Sequence, residues 1–164
     1  MNQEALKVLE ERRSCRAYQP KQITEEELQA VLKAGTYAPT GMGRQSPIIV
    51  AVQDKEIIAA LSKQNAAIMG NPDMDPFYGA PTVLIVLANK QFPTWFYDGC
   101  CVMDNLLNAA EAVGLGSCWI HRAKEEFESA EGKALLKKWG IEGDYEGIGH
   151  CILGYRADEK PAPA

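Results

Sequence analysis

The sequence predicts a mixed α/β sandwich built around one sheet, and three observations carry that expectation. The chain has 164 residues, 46% hydrophobic and 24% charged, enough for one sizeable core in an ordinary globular protein. Residues 82–88 (TVLIVLA) are apolar without alternation, as in a strand covered on both faces. Helical and strand-like segments alternate along the chain, yet their connections are too irregular for a series of βαβ units.

Each element has its own signal. Residues 2–12 suit a helix, with Ala5, Leu6, Val8 and Leu9 as its apolar members. Thr24 is an N-cap with Glu27 three residues later, and Leu28, Val31 and Leu32 follow on one face. Pro39 stops that helix. Residues 48–52 form a short β-branched run and predict a strand. Residues 55–65 read as a helix. Residues 71–76 carry two prolines and two aspartates and read as an exposed loop. The longest helical pattern covers 96–113, where Val102, Leu106, Ala109, Ala110 and Val113 recur at spacings of three and four. Asp98, Asp104, Asn105 and Asn108 interrupt it. A helix with so little charge belongs in the middle of the protein or at a subunit interface. Gly114 and Gly116 end it. Residues 117–121 predict a strand, 125–139 a helix and 147–155 a last strand. With no repeat or low-complexity linker, residues 1–164 read as a single domain.

Composition limits what the chain can do. Seventeen Lys+Arg against twenty-two Asp+Glu give a net charge of −5. That argues against a nucleic-acid partner and leaves room for a small anion held by a few arginines. The strongly apolar stretch 80–88 is too short to span a bilayer. Met1-Asn2-Gln3-Glu4 lacks the pattern of a signal peptide, so the expectation is a cytoplasmic protein away from the membrane. Cys15, Cys100, Cys101, Cys118 and Cys151 are odd in number and form no CxxC pair, which predicts small, buried, reduced thiols. His121 and His150 have no second ligand at metal spacing. GxSxG and GxGxxG are absent.

Three constellations remain. Arg12-Arg13-Ser14-Cys15-Arg16 places three guanidiniums and a hydroxyl within five residues, a set able to hold a phosphate or to serve as a solvated basic turn. The segment 38–45 (APTGMGRQ) is glycine-rich but lacks the P-loop pattern and runs from helix into strand. Its glycines either admit a flat ligand close to backbone or serve turn geometry. The segment 114–121 (GLGSCWIH) sends a strand out of a glycine-rich turn. It is either a core strand with a buried Trp or an edge whose N–H groups meet a heterocycle.

Taken in order, these segments resemble the nitroreductase family of FMN-dependent oxidoreductases. The likeness runs from 12–16 (RRSCR) through 38–52 (APTGMGRQSPIIVAV), 78–88 (YGAPTVLIVLA) and 114–120 (GLGSCWI) to 149–155 (GHCILGY). It implies an α+β fold: a three-layer α/β/α sandwich, its central mixed and mostly antiparallel sheet flanked by helices, in an intertwined homodimer with FMN at the interface. It implies that Arg12, Arg13, Ser14 and Arg16 bind the phosphate, ribityl and pyrimidine groups. Pro39, Thr40, Gly41, Gly43 and Gln45 would reach the flavin from the other subunit. Trp119, Ile120 and His121 would pass its N5 and O4 edge, and helix 96–113 would be the dimer helix. NADH or NADPH would give a hydride, and an electron-poor acceptor such as a nitroaromatic or quinone would then use the same open face, in ping-pong fashion. No protein acid or base is required, so no catalytic residue is assigned. Phe77, Tyr78 and Trp95 would wall the substrate face or simply pack. The same scaffold would also suit a flavin storage or sensor dimer, dehalogenation or flavin cleavage. Three departures stand out. Gly43 replaces an Asn common in relatives, and Gln45-Ser46-Pro47 replaces QPW. The sequence stops at Pro161-Ala162-Pro163-Ala164, where relatives usually continue with a basic segment; that segment is either missing or lies beyond this sequence, and its true absence would weaken FMN binding.

Overall fold

The apolar run near residue 85 is the middle of the fold. In the computed structural model, which describes residues 3–162, it forms β2 (Thr82–Asn89), buried at every position except its last. β2 pairs antiparallel with β1 (Pro47–Val52) on one side and with β4 (Tyr145–Gly154) on the other. β3 (Gly116–Ile120) pairs antiparallel with β4, so the order is β1-β2-β4-β3 and β3 is an edge. The sheet is antiparallel throughout, and the parallel contact is an isolated bridge between Ser14 and Ser117.

Side-chain alternation along β2 divides the core in two. Leu84, Val86 and Ala88 face α2 (Glu25–Thr36) and α4 (Trp95–Ala112). Val83, Ile85 and Leu87 face α3 (Lys55–Met69), α5 (Ala123–Glu128) and α6 (Ala130–Lys138). Helices therefore cover both faces, as the three-layer expectation requires. Within the second core, His150 and Glu126 are fully buried, with Nε2 and Oε2 2.6 Å apart but not aligned for a hydrogen bond. Phe77 packs against His150 in a tilted arrangement, 5.1 Å between ring centroids.

Local chemistry sets the boundaries. Thr24 and Glu27 form the predicted capping box: Thr24 Oγ1 accepts from the Glu27 N–H, and Glu27 Oε2 accepts from the Thr24 N–H at 2.7 Å. These bonds and one from the Tyr155 hydroxyl hold the Glu27 carboxyl below the usual range. The opening helix, α1, runs Gln3–Glu11; Asn2 lies outside the described residues. α3 continues to Met69, ending at Gly70 in the left-handed conformation. The single helix expected over 125–139 is two. Ser129 has extended backbone (ψ 164°), and its hydroxyl accepts from the Gly132 N–H at 3.0 Å, starting α6 afresh. His121, expected at the end of a strand, lies just past β3. All five cysteines are free; Cys15, Cys118 and Cys151 are buried, while Cys100 and Cys101 are only partly so.

Candidate functional site

A glycine lets the arginine segment dock. A Cβ at Gly116 would stand 2.8 Å from Cβ of Cys15 and 2.7 Å from its Sγ. Without one, the segment lies directly against β3: Ser14 bridges Ser117, and the Cys15 N–H donates to the Ser117 carbonyl at 2.8 Å. Cys15 is fully buried, and burial pushes its thiol pKa up. It is an anchor that fixes where its neighbours stand.

The arginines then differ. The Arg13 guanidinium donates to the carbonyls of Glu10 at 2.9 Å and Arg12 at 2.6 Å, closing the end of α1. Its own carbonyl accepts from Arg156 at 2.8 Å. Arg13 braces the segment. Among the described residues, the Arg12 and Arg16 guanidiniums donate to nothing. The Arg12 charge reaches the core: burial pushes the Cys151 thiol up to about 12, and Arg12 opposes that shift.

β3 contributes its backbone. Ser117 turns its carbonyl outward to Cys15, so by strand alternation Trp119 presents its N–H and carbonyl on the same open edge. The Trp119 indole lies on Gly149 of β4, with Cε2 3.0 Å from where a Cβ would be. Arg16, Trp119, Ile120 and His121 share one cavity of about 200 Å³ with Arg122, walled by Met69, Met74, Pro76 and Tyr78. Unpaired guanidiniums beside open N–H groups fit a flat heterocycle carrying a phosphate. Of the three aromatic candidates, Tyr78 lines this cavity. Phe77 is buried against His150, and Trp95 packs on the first core.

The glycine loop between α2 and β1 is built differently. Its hub is Asp98, buried in the first turn of α4. One carboxylate oxygen accepts from the Gly41 N–H at 2.9 Å; the other accepts from Thr94 Oγ1 at 2.9 Å and Ser46 Oγ at 3.4 Å. The Gln45 N–H donates to Thr40 Oγ1 at 3.1 Å. Arg44 sits over the Phe92 ring, 5.4 Å from its centroid. The space beside Gly41 belongs to Thr94 of the same chain: a Cβ there would collide with Thr94 Oγ1 and come within 3.0 Å of its Cβ. Gly43 has φ +64° with open space around it. Met42 and Gln45 also have positive φ. Among the described residues, no hydrogen bond links Pro39, Thr40, Gly41, Gly43 or Gln45 to the arginine segment. Beside the loop, Tyr37, Met42, Phe96 and Tyr97 stand exposed, 76%, 89%, 48% and 70% respectively.

Three residues that matter here were not among the sequence candidates. Asp98 left a trace, as one of the polar residues that interrupt the apolar pattern of 96–113. Asn65 and Arg122, which meet beside His121, left none, because their pairing spans 57 positions.

Helices on both faces of an antiparallel sheet, with an arginine segment docked on its edge strand, define an α+β sandwich. The chain belongs to the nitroreductase family, whose model matches residues 9–155. A protein of Archaeoglobus fulgidus, named as a candidate NADH dehydrogenase/NAD(P)H nitroreductase, is 31% identical over 96% of this chain and 88% of its own length. Among solved structures, an FMN-bound nitroreductase from Bacteroides fragilis superposes with a TM-score of 0.86 at 30% identity, covering 98% of this chain and 95% of that one. An FMN-bound nitroreductase from Desulfitobacterium hafniense superposes at 0.89 with 25% identity, covering 100% and 95%.

Proposed function

We propose that this chain is an FMN-dependent oxidoreductase, a single-domain protein acting as a cytoplasmic homodimer. It would use NADH or NADPH to reduce small electron-poor acceptors such as nitroaromatics and quinones. The observation that carries the reading is the arginine segment docked on the β3 edge through Cys15, with the Arg12 and Arg16 guanidiniums free of hydrogen-bond partners among the described residues and Arg16 lining the cavity at β3. FMN binding by two relatives of matching fold supports it. When bound, FMN would supply the redox chemistry between nicotinamide and acceptor.

The protein's part is to hold and orient. Arg12, Arg16 and Ser14 bind the phosphate and polar chain. The outer N–H groups of β3 meet the polar edge of the ring, with Ile120 and His121 beside them. Arg13 keeps the segment in place. The glycine loop, tied to its own α4 and set among exposed aromatics, reaches the cofactor of a second subunit. The exposed Tyr37, Met42, Phe96 and Tyr97 support that assembly, because large apolar patches are uncommon on monomers.

The test is direct. Purified protein should be yellow, should bleach with NADH or NADPH under anaerobic conditions, and should recolour on adding a nitroaromatic. Yellow protein that never bleaches contradicts the oxidoreductase. Light scattering at micromolar concentration should give a dimer mass, with an interface of more than roughly 2,000 Å² in total; a monomer contradicts the shared site.

A further inference from the structure

Arg122 follows β3 by two residues and is held in an unusual way. Its backbone sits at φ 77°, ψ 8°, a left-handed conformation that is strained for a non-glycine residue. Asn65 of α3, fully buried, secures it. The Asn65 amide donates to the His121 carbonyl at 2.8 Å and accepts from Arg122 Nε at 2.8 Å. One buried side chain therefore fixes both the chain direction after β3 and the start of the guanidinium. The two terminal nitrogens of Arg122 have no partner among the described residues.

Arg122 lines the cavity that Arg16 and His121 also line. Among the described residues, no carboxylate lines it, although the chain carries five more acids than bases. Met69, Met74 and Tyr78 supply apolar wall suited to a flat ring. An oriented guanidinium without a carboxylate, beside such a wall, is a receptor for a planar oxyanion.

We propose that Arg122 is a specificity-determining residue that binds the carboxylate of a conjugated or aromatic acid serving as electron acceptor. The inference rests on the FMN reading, in which Arg16 and the β3 edge are taken by the cofactor and Arg122 is left facing the acceptor.

Benzoate is a redox-inert probe of this site. Its binding to oxidised holoprotein is followed by the change in flavin absorbance and, independently, by calorimetry. Three forms are compared: wild type, Arg122→Gly and Arg122→Lys. Glycine accepts the left-handed backbone, and the Asn65 bond to the His121 carbonyl remains, so Arg122→Gly should fold. It should weaken benzoate about 10- to 150-fold, the range for losing a charged hydrogen bond, with Arg122→Lys in between. The kcat/KM ratio of 4-nitrobenzoate to nitrobenzene should fall by a similar factor, which general damage would not produce.

Equal benzoate affinity in all three forms would overturn the proposal. So would an unchanged acceptor ratio with a lost preference between NADPH and NADH, which would put the anion on the donor. A shifted flavin potential with unchanged benzoate binding would place the guanidinium on the cofactor and overturn it too. A chain that retains no FMN on reconstitution fails the cofactor reading instead; calorimetry of benzoate with that chain and its Arg122→Gly form still decides the role of Arg122.

Discussion

The arginine segment and the glycine loop both bear the stamp of a ligand site, and the structure builds them in opposite ways. The arginine segment anchors its backbone, through Cys15 and Ser117, and leaves two guanidiniums without a hydrogen-bond partner among the described residues. The loop engages its polar groups internally, through Asp98, Thr94 and Thr40, and leaves apolar surface exposed. On the proposed reading, the first would be a receptor within its own chain and the second would meet the ligand of a partner subunit. A site assembled from both halves would then depend on the proposed dimer.

The largest expected effect breaks the receptor half. Charged hydrogen bonds contribute about 1.5–3 kcal/mol each, so Arg12→Ala or Arg16→Ala should weaken FMN binding about 10- to 150-fold. The folded dimer should persist by light scattering. Arg13→Ala sharpens the contrast: its guanidinium closes α1, so FMN affinity should change less than for either neighbour, and helix stability more. Equal losses of FMN on dialysis from all three variants would erase the distinction among them.

Next comes the hub of the loop. Asp98→Ala removes the acceptor of the Gly41, Thr94 and Ser46 bonds. It should cost about 1.5–3 kcal/mol, lowering Tm by about 3–12 °C for a chain of this size. FMN retention should fall with it, although Asp98 is on another element from the arginines. Unchanged retention in a folded Asp98→Ala dimer would detach the loop from the cofactor site.

What the sequence disclosed follows the same divide. TVLIVLA identified the central strand because burial on both faces removes alternation, and Thr24 with Glu27 identified a helix start because a capping box is local chemistry. The break at Ser129 went unread, since charged residues on both sides continue a helical pattern across it. In the site, charge and glycine content marked both segments. Their use did not follow from type: Arg13 looks identical to Arg12 in sequence, yet points at carbonyls. Gly41 looks made for a ligand, yet yields to Thr94 of its own chain. Contacts between distant positions decide such cases, as Asn65 with Arg122 shows.

The smallest expected effect concerns α2, which delivers the chain to the loop. The folded Glu27 carboxyl titrates below its ordinary value, because the Thr24 N–H and the Tyr155 hydroxyl stabilise its charge. Its stabilisation is present above the ordinary carboxylate pKa and is lost as pH falls through the lowered folded value. Glu27→Gln should therefore lower the urea midpoint most near neutrality, and the gap should close below about pH 4. Thr24→Ala should cost about 1 kcal/mol. A gap that widens in acid would contradict the sign.

The central claim, that one cofactor site takes its arginines from one subunit and its loop from the other, is tested most directly with a mixed dimer. One chain carries Arg12→Ala with Arg16→Ala. The other carries Gly41→Leu, whose side chain collides with Thr94 and deforms its own loop. Differently tagged chains allow the mixed dimer to be purified, and FMN per dimer is read from absorbance. If the loop acts across the interface, both lesions fall on one site and the other is intact. The mixed dimer should then hold about one FMN, as two-fold symmetry with a single intact site requires, while each parental dimer holds little. A folded, paired mixed dimer that is nearly colourless would show that each site carries one lesion, and would contradict the account.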